Sequence, residues 1–323
     1  MRMPELFGEE DFQEKMDTVV ADFLRESVIE GFFAAEDGAE IHYYYAVHPQ
    51  EKASIVISHG FCEFFAKYHE LSYYLYQMGY SIFFLEHRGH GYSKREVPEI
   101  DMVYIKSYDR YVEDLKCFVD QVVTKKSQTK KYILYAHSMG GAVGALFLEK
   151  YPDFFTKAVL SSPLMQMYFQ GIPDIAVKAL LVWSVIVHWN TRYVPKQHGY
   201  DGIYAFAESS TLSESRYAYA FHQREVIPEY RTYGGCYSWT RATIAATKKL
   251  QRNAKRVQIP VLLFQAGRDS MVMPKGQEIF VERSGNTRMV RYEDSKHEIF
   301  NATSKIREAY YQEIYTFLEA QRN

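Results

Sequence analysis

Short apolar runs alternate along this chain with longer stretches in which apolar residues recur at helical spacing. Residues 53–58, 81–85, 132–135, 158–160, 261–265 and 289–292 form the runs. Apolar side chains at successive positions are the mark of strands buried on both faces of a parallel sheet. Between them, 64–77, 107–123, 143–148, 274–281 and 306–318 read as helices. In 107–123 the stripe is Tyr111, Leu115, Phe118 and Val122. Ahead of the first strand, Phe12, Met16, Val19, Val20, Phe23 and Leu24 predict an amphipathic helix that lies on the main body. Asp37-Gly38, between the apolar stretches 32–35 and 41–46, signals a hairpin. The expected class is therefore α/β, with an antiparallel pair leading a mostly parallel central sheet flanked by helices.

The alternation stops between 164 and 256. That stretch is too long for a connection and too apolar for a linker. It predicts an inserted, mainly helical cap, or lid, on a core made of 1–163 and 257–323. Its most hydrophobic part, 172–189, is apolar nearly all round apart from Lys178 and is short for a membrane span. Two expectations follow for it: a helix buried inside the cap, or a lid that also touches a membrane surface.

Composition narrows the setting. A net charge of −2 and a pI near 6.6 give no electrostatic reason to expect a nucleic-acid partner. Three cysteines, Cys62, Cys117 and Cys236, are odd in number and show no CxxC spacing, which suits a reducing compartment. The acidic first residues lack the apolar core of a signal peptide. The expected location is cytoplasmic, with peripheral contact at the inner membrane surface through the cap. With 28 Tyr and 21 Phe, aromatic rings are expected to line surfaces or pockets as well as the core.

The chemistry begins where run 132–135 meets the next helix, at Ala136-His137-Ser138-Met139-Gly140. A strand turning sharply into a helix strains the middle residue and pushes its side chain out. Serine at a helix start is otherwise an ordinary cap. The sequence resembles the nucleophile elbow of the α/β-hydrolases, with Ala136 where that motif usually has Gly. Glu86-His87-Arg88-Gly89-His90-Gly91-Tyr92-Ser93 is similar to the DxRGHGxS-type loop of lipase-like hydrolases, with Glu86 for Asp, and is expected to support the elbow. Its glycines predict an irregular loop, so His87 and His90 are not read as metal ligands. Stretches 211–217 and 233–239 look like the cap of bacterial lysophospholipases of the monoacylglycerol lipase type.

This resemblance implies a catalytic set. Ser138 would be the nucleophile and His297, on the loop after the last strand, the general base. Asp269, after run 261–265, would orient that base. Asp201, Glu293 and Asp294 are rival acids, and Asp294 is too near His297 to fit the chain order Ser, Asp, His. The amides of Phe61, in the His59-Gly60 loop, and of Met139 would form the oxyanion hole. Cys62 follows His59 but lacks an elbow, so it reads as a small buried residue. Glu63 could pair with Lys67 one helical turn on or contact substrate. Trp183 and Trp239 are candidate pocket residues, the core being the alternative for Trp239. No metal or organic cofactor is required. The expected activity is serine-dependent hydrolysis of a lipid-like monoacyl ester, a lysophospholipid or a monoacylglycerol, through an acyl-enzyme. A general carboxylesterase, an aminopeptidase of the same fold, and a non-catalytic binding protein are the alternatives.

Overall fold

The computed structural model describes residues 3–169 and 171–320. Its strands are β1 (Ile29–Ala34), β2 (Glu40–Ala46), β3 (Ser54–Ser58), β4 (Ser81–Leu85), β5 (Met102–Val103), β6 (Tyr132–His137), β7 (Lys157–Ser161), β8 (Gly234–Gly235), β9 (Val261–Ala266) and β10 (Thr287–Tyr292). Eight of them form one sheet in the order β1-β2-β4-β3-β6-β7-β9-β10, while β5 and β8 make a separate short ladder. β2 runs antiparallel to both β1 and β4. The remaining pairs in the large sheet are parallel.

β3, β4, β6 and β9 are buried along their whole length, which is why they read as unbroken apolar blocks. Successive side chains still separate onto two faces. Val56, Phe83, Leu134 and Leu263 pack with the helices Tyr108–Phe118, Ser138–Lys150 and Tyr237–Asn253. Ile55, Ile57, Phe84, Tyr135 and Phe264 pack on the other face with His69–Gln77, Ser304–Glu319 and the N-terminal helix. The register sets Ser58 beside Ala136, and Ala136 beside Leu160. The loops leaving β3, β6 and β7 therefore emerge together at the carboxyl end of the sheet, where open α/β sheets form their sites.

Several expectations change on packing grounds. In the N-terminal helix Phe12, Met16, Val20 and Phe23 are buried, but Val19 is 37% exposed. A π-type turn over Met16–Val20 widens the spacing there and rotates Val19 outward. Tyrosine is used heavily in the core. Tyr68, Tyr74, Tyr108, Tyr111, Tyr135, Tyr310 and Tyr311 are all fully buried. Some of their hydroxyls pair internally, Tyr135 with Tyr310 at 2.8 Å and Tyr108 with Thr243 at 3.0 Å. Helix Asp174–Ile186 buries only Val177, Leu181 and Ser184. Helix Tyr237–Asn253, although inside 164–256, packs Trp239, Ala242, Ala246 and Leu250 into the same cluster as β6. By packing it belongs with the sheet.

One buried charge cluster ties distant segments together. Arg216, on helix Glu214–Val226, and Arg307, on Ser304–Glu319, both donate to the carboxylate of Glu70. Both also donate to the Phe7 carbonyl, at 3.0 and 2.8 Å. Replacing Glu70 by Ala leaves the buried Arg307 guanidinium without its anion and Arg216 with Glu9 alone, at a cost of about 3–5 kcal/mol. In urea denaturation the Glu70→Ala midpoint should fall by the corresponding amount with the slope unchanged.

Candidate active site

Ser138 follows directly from β6 and has φ +50°, the left-handed region that a residue with a side chain rarely adopts. The packing around it leaves no alternative. A Cβ at Gly140 would lie 2.1 Å from the Ser58 carbonyl oxygen and 2.4 Å from that of His59. A Cβ at Gly141 would lie 2.5 Å from Pro163. The helix can start hard against β3 only because these positions carry no side chain. Ala136 is accepted in place of glycine because Gly144 faces it, where a second methyl would stand 3.2 Å away.

Three side chains expected together from the sequence meet here. Ser138 Oγ lies 2.8 Å from His297 Nε2, and His297 Nδ1 lies 2.6 Å from Asp269 Oδ2. Asp269 Oδ1 accepts from the amides of Met271 and Val272 at 2.8 and 3.0 Å, so the carboxylate cannot swing away. The His297 carbonyl accepts from Ser162 Oγ at 2.7 Å. Gly267 allows the loop after β9 to touch the loop after β10, since a Cβ there would meet the Glu293 carbonyl at 2.4 Å. The rival acids Asp201, Glu293 and Asp294 are exposed. Burial opposes the charge on Asp269, but His297 and the two amides hold its pKa below the usual value. Burial likewise opposes a charged His297, but Asp269, Glu298 and Glu63 hold its pKa above the usual 6.5.

The amide of Met139 lies in the first turn of its helix, where no intrahelical acceptor exists. The Phe61 amide makes no hydrogen bond among those of the described residues. The peptide that carries it is fixed from its other end. His59 Nε2 accepts the amide of His87 at 2.9 Å, so the proton sits on Nδ1, which donates to the Gly60 carbonyl at 2.7 Å. In a trans peptide the Phe61 N–H points opposite to that carbonyl. The Glu86–Ser93 loop does brace the elbow, because His87 Nε2 meets Ser58 Oγ at 2.8 Å and Ser58 Oγ reaches the Gly140 carbonyl at 3.2 Å.

Glu63 is not free to touch a substrate. Its oxygens are engaged by the Gly60 amide, Tyr68 Oη and Lys67 Nζ. Burial favours the neutral acid, yet Lys67 and His137 keep its pKa below the ordinary carboxylate range. Lys67 Nζ lies 3.0 Å from Glu63 and 2.8 Å from Glu298. Glu298 also accepts from Ser210 of the 164–256 stretch and from Asn301. Its position next to His297 was the available signal for Glu298, whereas nothing in the local sequence pointed to Ser210. Trp239 is 6% exposed and packs against Phe61 with ring centroids 4.2 Å apart. Trp183 is 52% exposed on the outer side of its helix, beside Ile175, Val182 and Ile186. Cys62 is buried, and burial pushes its thiol pKa up, away from reactivity.

The sheet order and the turn at Ser138 define an α/β-hydrolase. The chain belongs to the Hydrolase_4 family, described as serine aminopeptidase, S33, whose family model matches residues 49–304. It is 24% identical to the probable lysophospholipase L2 of Haemophilus influenzae, over 90% of this chain and 92% of that protein. It is 29% identical to the lysophospholipase L2 of Escherichia coli K12, over 71% and 67%. It is 24% identical to the monoglyceride lipase of Homo sapiens, over 81% of each chain. Among solved structures, a soluble variant of the Saccharomyces cerevisiae monoglyceride lipase in complex with a substrate analogue superposes with a TM-score of 0.70 at 18% identity, covering 91% of this chain and 96% of that one. The resemblance to the α/β-hydrolases and the mostly parallel sheet are thus borne out.

The electrostatics of the His297–Asp269 pair can be tested without turnover. In NMR of histidine-labelled protein, the signal lost in a His297→Gln control should titrate above pH 6.5. Asp269→Asn removes the principal group favouring the imidazolium and should move that midpoint down.

Proposed function

We propose that the protein is a serine hydrolase of lipid-like monoacyl esters, with Ser138 as nucleophile. The Ser138–His297–Asp269 hydrogen-bond sequence carries this reading. His297, neutral and held by Asp269, takes the Ser138 proton as Oγ attacks the ester carbonyl. The Phe61 and Met139 amides receive the oxyanion, a contribution of roughly 3–4 kcal/mol per donor. His297 then protonates the departing alcohol, leaving an acyl-serine. A water, deprotonated by His297, attacks that ester, and Ser138 recovers its proton as the free acid leaves.

The charge distribution favours an ester over the aminopeptidase reading that the family description invites. An aminopeptidase needs a free carboxylate for the substrate's ammonium. The two carboxylates beside His297, Glu63 and Glu298, are already matched to Lys67. Of the other acids in the 164–256 stretch that could serve, Glu208, Glu214 and Glu225 are exposed and Glu229 is half-buried. The names of the lysophospholipase and monoglyceride lipase relatives support a single acyl chain as the substrate's apolar part.

The 164–256 stretch is read as the cap up to the start of helix Tyr237–Asn253. The outer face of helix Asp174–Ile186 is read as its contact with a lipid surface. Ile175 is 79% exposed there, with Val182, Val185 and Ile186 also exposed. Among the described residues no helix is long and apolar enough to cross a membrane. The contact would therefore be peripheral.

Ser138→Ala should fold normally, lose fluorophosphonate labelling and lose turnover by several orders of magnitude. Near-normal hydrolysis of p-nitrophenyl esters by that variant would remove Ser138 from the mechanism, and faster cleavage of an aminoacyl anilide than of any ester would favour the peptidase. Replacing Ile175 and Val182 together by Asp should abolish cosedimentation with phospholipid vesicles. The same variant should leave hydrolysis of a dispersed short-chain ester within about twofold.

A further inference from the structure

The loop that presents the Phe61 amide contains a strain that its own sequence does not resolve. Cys62 has φ +57°, a left-handed conformation with no glycine to make it easy. Such a residue stays there only when its surroundings hold it. On the N-terminal side of Phe61, the Gly60 amide donates to Glu63 at 2.5 Å and the Gly60 carbonyl accepts from His59 at 2.7 Å. The C-terminal side is held from elsewhere in the chain. The Cys62 carbonyl accepts from Arg224 Nη2, on helix Glu214–Val226 of the inserted stretch.

Arg224 is itself fixed. Its Nε donates to the Tyr230 carbonyl at 3.1 Å. Its guanidinium lies 5.2 Å over the Phe64 ring, which stacks on Tyr230 at 4.3 Å. A planar guanidinium fixed by a second hydrogen bond and by an aromatic face is a rigid donor, unlike a lysine on a flexible stem. A charge-assisted bond to a carbonyl is also among the stronger single contacts available to a strained peptide.

We propose that Arg224 is a positioning residue for hydrolysis: by gripping the Cys62 carbonyl it holds the strained turn on which the Phe61 amide meets the oxyanion. The proposal rests on the reading of Phe61 as an oxyanion donor. Without the guanidinium, Cys62 is free to relax to negative φ. The peptides on either side of Phe61 then turn, and the donor leaves its line. The inserted stretch thereby contributes to the chemical step as well as covering it.

The test compares wild type with Arg224→Met, which keeps the apolar stem and loses the donor. Active sites are titrated with a fluorophosphonate taken to completion. Turnover is then measured per titrated site on p-nitrophenyl butyrate, and inhibition with an alkyl trifluoromethyl ketone, whose tetrahedral adduct needs the oxyanion donors. The expected result is a kcat per site lowered on the order of 10²-fold, the penalty of a misplaced catalytic group. KM should stay within about twofold, and the ketone's Ki should weaken in step with kcat. A merely structural arginine would lower the number of titratable sites and leave kcat and Ki per site unchanged, which overturns the proposal. So does a loss confined to KM, the sign of a substrate contact. If Arg224→Met does not fold, Arg224→Leu, which also lacks a donor, is read by the same two quantities. A wild-type protein that neither labels nor binds the ketone refutes the hydrolase reading itself, independently of Arg224.

Discussion

The chemistry of the site depends on how closely Gly140 approaches the carbonyls at the end of β3. A missing side chain there lets helix Ser138–Lys150 begin against the strand rather than a bond length or two away. That contact forces Ser138 into its left-handed conformation and sends Oγ out of the end of the sheet. The other parts of the site are placed relative to it. Ser58 and His87 brace the underside, Gly267 brings the two loops beyond β9 and β10 together, and Ser162 holds the His297 carbonyl. Strain of roughly 1–3 kcal/mol per such residue is sustained by a buried sheet that has no cheaper packing.

Charge is handled in the same spirit. One ammonium, Lys67, sits between two buried carboxylates, one that caps the Gly60 amide and one that neighbours the imidazole. Either carboxylate alone would be costly to ionise in that interior. Together with Lys67 they leave a net negative surround, which adds to Asp269 in favouring the protonated imidazole. Glu298 also reaches the 164–256 stretch through Ser210.

Much of this was legible in the amino-acid order, and the rest was not for identifiable reasons. Strands buried on both faces declare themselves as apolar blocks, so β3, β4, β6 and β9 were read nearly to the residue. The elbow was visible because its small residues are contiguous. Asp269 and His297 were found through resemblance and chain order, since each is only one of many acids or histidines. Val19 was assigned to the wrong face because a π-type turn changes the helical period without a distinctive residue. Tyr111 was read as buried from its helical spacing, but the other core tyrosines were not singled out because their hydroxyl partners lie far away in sequence. Arg224 and Cys62 are 162 positions apart, and Glu298 and Lys67 are 231 apart. No local pattern announces such pairs.

The hydroxyl contact between Tyr135, in a central strand, and Tyr310, in the last helix, has an evolutionary corollary. Losing one oxygen strands the other in a dry interior, whereas losing both together costs little. Descendants of this chain should therefore change the two positions as a couple, Tyr with Tyr or Phe with Phe. A mixed pair would survive only briefly, and the two sites would share one mutational history across the whole length of the domain.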